Sequence, residues 1–261
     1  MSQSEPKLIF NQHTTDGEVR VWQQNNRRWL DFNDSLIQSE IVLDRPDLLP
    51  LPLNQAMLAG TMFVEHPKRV LLAGTGGGAT ARYFASRFPD VVGDAIEKSD
   101  LVATIAREFF YFPKQDQNNW QIITADITTY INQCQQRYDL IVIDIAVNQK
   151  TPEWIIERQF LQQCRSILSK NGQVVFNLLV DDANAFLHYL SAIRDIFDRR
   201  TVCLSLPNYR NTVIMAFNQS LSFSPEEITT RLPDLEALWE LDFTAFYQQM
   251  LKDNPRESGV F

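Results

Sequence analysis

The stretch KRVLLAGTGGGATARYFASRFPDVVGDAIE, residues 68–97, decides the fold. Residues 69–73 form an apolar run without alternation, which predicts a strand buried on both faces of a parallel sheet. Glycines 74, 76 and 78 follow directly, where the chain must turn sharply from this strand into a helix. Glycine carries no Cβ, so the backbone here can lie against a ligand and direct its N–H groups at it. The stretch predicts the floor of a nucleotide-type pocket.

An acidic residue closes the second predicted strand of this stretch. Glu97 follows Gly74 at about the 20-residue spacing at which nucleotide-binding βαβ units place a carboxylate on the ribose hydroxyls. A lone glycine pattern is a weak signal, and its plain alternative is a turn that binds nothing. The strand before the glycines, the helix after them and the acid beyond together favour a nucleoside site.

Composition narrows the class of partner. The chain has 261 residues, enough for one α/β domain and a small accessory domain. Its 24 Lys and Arg against 32 Asp and Glu give a net charge of −8, which argues against nucleic acid because phosphate backbones are held by clustered positive charge. No apolar stretch approaches the roughly 18 residues that a membrane span needs. We therefore expect no nucleic acid, no membrane and a cytoplasmic location.

The cysteines and histidines suggest neither a disulfide framework nor a metal site. Cys134, Cys164 and Cys203 are an odd number without C-x-x-C spacing. The three histidines are isolated, and none has a second ligand type at a metal-binding distance along the chain. We expect buried cysteines and chemistry that needs no metal.

Two domains are predicted, residues 1–48 and 49–261. Strands at residues 7–12, 18–24, 27–32 and 35–43 alternate apolar and polar residues and predict a small antiparallel sheet. Further strands are predicted at residues 69–73, 91–96, 120–124, 138–143, 173–179, 201–206 and 212–217. The predicted helices cover residues 53–65, 79–88, 99–110, 126–135, 153–169, 183–198, 225–232 and 234–251. This alternation predicts an α/β Rossmann-like doubly wound sheet, and the closeness of its last two strands predicts a C-terminal antiparallel hairpin.

Three acids follow three successive strands. Glu97, Asp126 and Asp144 stand at or just after strand ends, and in an open α/β sheet the ligand crevice lies beyond the carboxyl ends of the strands. We therefore predict that they converge, with Glu97 on the ribose, Asp126 on the adenine amino group and Asp144 nearest the reacting centre. Each has a plain alternative: Asp126 opens a helix as its N-cap, and Asp144 caps or turns the next loop.

Several segments together resemble the spermidine synthase (polyamine aminopropyltransferase) family. These are residues 70–80 (VLLAGTGGGAT), 95–97 (AIE), 124–126 (TAD) and 138–144 (YDLIVID), and the likeness covers roughly residues 18–218 in order and arrangement. At the N-terminus, residues 30–31 (LD) and 37–39 (IQS) resemble the family strand that carries a glutamine near the ligand.

The resemblance implies a transferase that moves an aminopropyl group to an amine acceptor. It implies a Rossmann-like catalytic domain behind a small β domain, usually in a homodimer, that binds decarboxylated S-adenosylmethionine or methylthioadenosine without a metal. The binding residues that it implies are Gln38, Gly74, Gly76, Gly77, Gly78, Glu97 and Asp126, with Asp144 catalytic.

The chain departs from the family where a diamine would be held. Gly77 replaces an aspartate of the glycine loop, and Val147 replaces the second of two aspartates that follow the fourth strand. A family tyrosine and glutamate fall on Leu53 and Gln55. Each acid–ammonium hydrogen bond is worth about 1.5–3 kcal/mol, so losing two weakens diamine binding by roughly two to four orders of magnitude. Only Asp144 survives from this set.

These departures leave alternatives open. The acceptor is a standard diamine or another amine, and Asn148, Gln149 and Asn177 are candidate neutral contacts in place of the missing acids. Gly77 tolerates the carboxylate of intact S-adenosylmethionine, so a methyltransferase is the nearest alternative. A non-catalytic nucleoside-binding paralogue also fits. A dehydrogenase is disfavoured, because such enzymes usually keep a wholly parallel sheet.

Overall fold

The described residues form two β-sheets, and helices connect most strands of the larger one. The structure is a computed structural model that describes residues 4–14, 17–33, 36–64, 66–116, 119–221 and 223–255. One sheet has four antiparallel strands and the other has seven, mostly parallel, so the predicted α/β fold class is confirmed. Residues 35 and 65, at the ends of a predicted strand and a predicted helix, lie outside the described residues.

The chain divides into two compact units. The first comprises Met1–Asn54 and Gly74–Ala125, and the second Gln55–Ala73 and Asp126–Phe261. The boundary expected between residues 48 and 49 stays a prediction.

The small sheet belongs to the first unit. Its strands, in spatial order, are β1 (Lys7–Thr14), β2 (Gly17–Gln24), β3 (Arg27–Asp31) and β4 (Ser39–Val42). Strand β4 is shorter than expected and begins at Ser39. The buried face of the sheet packs on helix α3 (Asp100–Phe109) and its end, through the fully buried side chains of Leu30, Ile41 and Phe110.

The large sheet carries the predicted strands. They are β5 (Arg69–Ala73), β6 (Val92–Glu97), β7 (Trp120–Thr124), β8 (Tyr138–Ile143), β9 (Leu168–Leu179), β10 (Thr201–Ser205) and β11 (Asn211–Phe217). The spatial order is β10–β11–β9–β8–β5–β6–β7. Strand β8 is parallel to β5 and β9, whereas β11 runs antiparallel to both β9 and β10. The predicted C-terminal hairpin is confirmed.

The helices flank these strands in sequence. Besides α3 they are α1 (Pro52–Ala56), α2 (Ala79–Arg87), α4 (Ile127–Gln133), α5 (Arg158–Ser166), α6 (Ala183–Ile196), α7 (Pro225–Trp239) and α8 (Phe243–Asp253). Two 3-10 helices cover Ala59–Phe63 and Glu153–Ile156. Of the described helices, none is long and apolar enough to cross a membrane.

Four predicted helices differ clearly from the observed ones, and the one expected at residues 234–251 is α8, which begins only at Phe243. The helix expected at residues 53–65 is α1 followed by a 3-10 turn. The helix expected at 153–169 is a 3-10 turn followed by α5, and β9 begins five residues earlier than predicted because Leu168 pairs with Tyr138. The break expected at Pro233 is wrong: α7 runs through it to Trp239, and its buried side chains Ile228, Leu232 and Trp239 lie on one face.

Candidate functional site

The loop between β5 and α2 has a backbone that only glycine adopts readily. Gly74, Gly76 and Gly78 have φ angles of +85°, +48° and +73°. These values lie in regions that L side chains rarely enter. The Gly74 N–H donates to the carbonyl of Ile96 at 3.0 Å, which ties the start of the loop to β6. The identity of the three glycines is thus explained by conformation.

Packing explains why residue 77 is a glycine. A Cβ placed on it would lie 2.8 Å from Cδ1 of Phe110 and 2.9 Å from Cβ of Ser39, closer than real Cβ contacts. Its N–H donates to the buried hydroxyl of Ser39 at 2.7 Å. The space that the family's aspartate would need is therefore filled, and replacing Gly77 requires Phe110 or Ser39 to move.

Gln38 and Ser39 reach the glycine loop from the small sheet. Gln38 is exposed, and its N–H donates to the carbonyl of Leu30 at 2.9 Å. Its own carbonyl would lie 3.9 Å from a Cβ on Gly76. Sequence reasoning selected Gln38 but missed Ser39, the buried neighbour that bonds the loop directly. Its position beside Gln38 was the only available signal.

Arg82 is a second residue that sequence reasoning missed. It lies on α2, is 4% exposed, and donates to the carbonyl oxygens of Gly77, of Phe110 at 2.7 Å and of Pro46 at 3.1 Å. Burial lowers the pKa of its guanidinium to about 9, which leaves it protonated at neutral pH. Arg82 therefore clamps the glycine loop to the end of α3.

Glu97 bonds the glycine loop with one carboxylate oxygen and the start of α3 with the other. Oε2 accepts from the Thr75 N–H at 3.1 Å, and Oε1 accepts from the Ser99 N–H at 2.9 Å. Burial raises the pKa of this half-buried carboxyl above its ordinary value, and the backbone N–H groups oppose the rise only in part. Glu97 thus lies beside the glycine loop, and its predicted contact with a ribose stays a prediction.

Asp126 is the N-cap of α4. Its Oδ1 accepts from the Thr128 N–H at 2.9 Å and from the Thr128 hydroxyl at 2.6 Å. The plain alternative for this residue is therefore observed. Capping occupies one carboxylate oxygen, and the predicted bond to an adenine amino group stays a prediction.

Asp144 is a half-buried carboxylate just beyond β8. Its N–H donates to the carbonyl of Ala73 at 2.9 Å, which continues the β5–β8 pairing. Its Oδ1 accepts from Nδ2 of Asn177 at 2.7 Å. Burial raises the pKa of Asp144 above its ordinary value, and the bond from Asn177 offsets part of that rise. Oδ1 of Asn177 in turn accepts from Nδ2 of Asn211 at 2.9 Å.

The loop after Asp144 is a tight turn. Val147 and Lys150 exchange backbone hydrogen bonds of 2.9 and 3.1 Å, and the two residues between them, Asn148 and Gln149, have φ angles of +50° and +58°. Val147 is 54% exposed, so it is free of the packing that restricts Gly77. Contacts of Asn148 and Gln149 with an acceptor stay predictions.

The site residues are distributed over the two units. Gln38, the glycine loop and Glu97 lie in the first unit, and Asp126 and Asp144 lie in the second. Their convergence on one ligand stays a prediction. Within the described ranges, no group of three or more His, Cys, Asp or Glu is placed to hold a metal ion. Cys164 and Cys203 are buried, and Cys134 is half-buried.

Comparison with known proteins supports the resemblance found in the sequence. No protein-family model matches the chain. A polyamine aminopropyltransferase of Chromobacterium violaceum is 28% identical over 243 residues, which cover 93% of this chain and 92% of that protein. The chain is similar to the polyamine aminopropyltransferases. The crystal structure of a spermidine synthase in complex with the transition-state analogue AdoDATO superposes with a TM-score of 0.69 over 97% of this chain and 89% of that one, at 16% identity, which supports the fold.

A methyltransferase is also similar over a shorter span. The human eEF1A lysine and N-terminal methyltransferase is 27% identical over 163 residues, which are 55% of this chain. The chain spans less than a quarter of that protein, since the matched region covers 23% of it. The polyamine aminopropyltransferase similarity includes nearly the whole chain, whereas this one does not.

Proposed function

We propose that this protein is a spermidine synthase-like transferase that binds decarboxylated S-adenosylmethionine and moves its aminopropyl group to an amine. The observation that carries the proposal is Asp144, a half-buried carboxylate with a raised pKa, positioned after β8 by the Ala73 backbone and the Asn177 amide. Similarity to a polyamine aminopropyltransferase over 93% of the chain supports it. A homodimer is carried over from the resemblance and proposed on that ground alone, and a cytoplasmic location is proposed from the sequence.

The proposed reaction is an in-line displacement. The lone pair of a neutral amine attacks the carbon beside the sulfonium, the carbon–sulfur bond breaks toward sulfur, and methylthioadenosine leaves as a neutral thioether. The sulfonium needs no acid to leave, so the protein has to align the reactants and take the proton of the amine. Asp144 orients the amine and accepts that proton.

The nucleoside contacts are proposed from the loop geometry. The positive φ angles of the glycines let the chain turn sharply at the end of β5, and we place the nucleoside over this turn. Glu97 binds the ribose hydroxyls through its carboxylate, which the Thr75 and Ser99 N–H groups hold at the loop. Asp126 accepts from the adenine amino group, and Gln38 lies beside the ligand.

Calorimetry with the two forms of the co-substrate tests this assignment against a methyltransferase. We expect decarboxylated S-adenosylmethionine to bind roughly tenfold more tightly than the intact form, because the Asp144 carboxylate repels the extra carboxylate of the latter. Methylthioadenosine, which has no charge at this end, serves as the reference. Tighter binding of the intact form would instead favour a methyltransferase, which the eEF1A methyltransferase similarity makes the second candidate.

A non-catalytic role is tested by turnover. The missing acids at positions 77 and 147 suggest weak binding of diamines, so the amine panel should include monoamines and amines with one uncharged end. We expect methylthioadenosine release with at least one of them. Binding of methylthioadenosine without any transfer would indicate a nucleoside-binding paralogue.

Restoring the two family acids should affect stability at one position and not at the other. Gly77→Asp is expected to cost roughly 1–3 kcal/mol of unfolding free energy, because the new Cβ collides with Phe110 and Ser39. Val147→Asp is expected to change it by less than about 0.5 kcal/mol, since Val147 is exposed. Urea denaturation measures both, and each variant is the control for the other.

The same pair tests where a diamine binds. Val147→Asp should raise transfer to a diamine relative to a monoamine, because it supplies a second carboxylate for the far ammonium group.

A Gly77→Asp protein as stable as the unmodified one would show that Phe110 and Ser39 yield easily, and packing would then no longer explain Gly77.

A further inference from the structure

Asn177 is a buried amide within an apolar strand. It is 7% exposed, and its neighbours on β9, Val175, Phe176 and Leu178, are fully buried. Burying an amide is unfavourable unless its groups are hydrogen-bonded, so a strand that only had to fold would carry an apolar residue here. Both bonds of the Asn177 amide go to polar side chains, Asp144 on one side and Asn211 on the other.

The direction of these bonds matters. Asn211 donates to Oδ1 of Asn177, and this bond commits the amide oxygen and turns the NH₂ group toward Asp144. An ionised carboxylate only accepts hydrogen bonds, whereas a protonated one also donates. The observed orientation of the Asn177 amide therefore matches an ionised Asp144. Asn211 contributes to this orientation through its bond to Asn177.

We propose that Asn177 and Asn211 form a positioning relay that holds Asp144 in its ionised form and fixes the oxygen available to the amine. Asn177 acts directly on Asp144, and Asn211 acts through Asn177. The part that concerns the amine rests on the proposed function, whereas the relay itself can be measured without any substrate.

Charged residues nearby do not account for the state of Asp144. The loops after β8 and β9 and the β10–β11 turn carry Lys150, Asp181, Asp182 and Arg210. Asp181 pairs with Lys150 at 2.5 Å and with Arg210 at 3.0 Å, and Asp182 caps α6. The pKa of Asp144 is raised by burial and lowered by the Asn177 bond, with no contribution from these charges.

The experiment reverses the orientation of the Asn177 amide by a substitution at Asn211. An Asn211→Asp side chain only accepts, so the NH₂ of Asn177 turns toward it and the amide oxygen turns toward Asp144. The pKa of Asp144 is measured by NMR titration of ¹³C-labelled aspartate carboxyls, with the resonance assigned by its loss in Asp144→Asn. We expect Asn177→Ala to raise this pKa by about one unit, Asn211→Ala to raise it by less, and Asn211→Asp to raise it more than Asn211→Ala.

The new charge in Asn211→Asp could also raise the Asp144 pKa by direct repulsion. High salt and a second variant with the same added charge distinguish this repulsion from the reversed amide. At 1 M salt the screening length is about 3 Å, so a purely long-range effect of Asn211→Asp fades while an inverted amide persists. Asn148→Asp adds the same charge on an exposed turn and is expected to leave the pKa unchanged at that salt concentration. Because Asn211 is only partly buried, its variants stay informative if Asn177→Ala fails to fold.

The outcomes separate the two proposals. An unchanged Asp144 pKa in folded Asn211→Ala and Asn211→Asp proteins would overturn the relay. A changed pKa without transfer to any amine would support the relay and count against the proposed function. If transfer is present, the acid limb of kcat/KM should move with the NMR pKa in each variant, which supports both.

Discussion

Asp144→Asn is expected to lower turnover by roughly 10²- to 10⁴-fold, the range for loss of a positioned general base, while methylthioadenosine affinity stays nearly unchanged. The substitution keeps the shape of the side chain and an oxygen that accepts from Asn177, so the surroundings of the site are retained. The substitution removes the capacity to take a proton together with the negative charge, and methylthioadenosine has no charge at this end for that charge to act on. Single-turnover kinetics with a saturating amine and calorimetry with methylthioadenosine measure the two quantities separately.

The same variant should also change how stability depends on pH. The pKa of Asp144 is raised in the folded state, so the folded protein binds this proton more tightly than the unfolded chain does. The stability that this proton contributes to the folded state is therefore fully present below the pKa of Asp144 in the unfolded chain. It is lost as pH rises through the pKa of Asp144 in the folded protein. Asp144→Asn removes this loss, so at pH 7 to 8 the variant should be at least as stable as the unmodified protein.

Asp139→Asn is the matched control for turnover. Asp139 lies on the same strand at its other end, where Oδ2 accepts from the N–H groups of Lys68 and Arg69 at 2.9 and 3.0 Å. Its substitution should reduce stability and leave turnover per folded molecule unchanged. Full activity of Asp144→Asn, or an equal loss in Asp139→Asn, would remove Asp144 from the mechanism.

The parts of the fold that sequence predicts well are those encoded by neighbouring residues. The glycine loop is one, because the need for positive φ at Gly74, Gly76 and Gly78 is expressed in the residue type itself. The C-terminal hairpin is another, since its two strands are joined by a short polar turn. Both features depend on residues that lie close to one another along the chain.

The parts that sequence missed depend on distant residues. The early start of β9 needs Tyr138 as the partner of Leu168, and no local pattern marks that pairing. The continuous α7 keeps Pro233 because Ile228, Leu232 and Trp239 bury one apolar face, which outweighs the local preference of proline to end a helix.

The site shows the same limit. From sequence, Gly77 is a family acid that is missing, but in the folded chain any Cβ at this position requires Phe110 or Ser39 to move. Likewise, Asn177 was a candidate only for its polarity. Its bond to Asp144 spans 33 residues of sequence and became apparent only from the pairing of β8 with β9.

Glu97→Gln is expected to weaken methylthioadenosine binding by roughly 10- to 100-fold, the loss of a charge-assisted hydrogen bond to the ribose. It should also destabilise the protein, unlike Asp144→Asn. Each oxygen of Glu97 accepts a backbone N–H, from Thr75 and from Ser99, whereas glutamine offers one oxygen and directs its NH₂ group at the other N–H. Leaving that donor unsatisfied costs about 1–3 kcal/mol.

A variant of the neighbouring residue Asp94 is the control that distinguishes loss of ligand binding from loss of stability. Asp94 lies three residues earlier on β6, is 2% exposed and accepts from Nε2 of Gln121 at 2.6 Å. Asp94→Asn should lower the unfolding free energy and leave methylthioadenosine affinity unchanged when measured well below the unfolding temperature. If Glu97→Gln binds methylthioadenosine as tightly as the unmodified protein, Glu97 serves only to brace the glycine loop, and the ribose contact has to come from another residue.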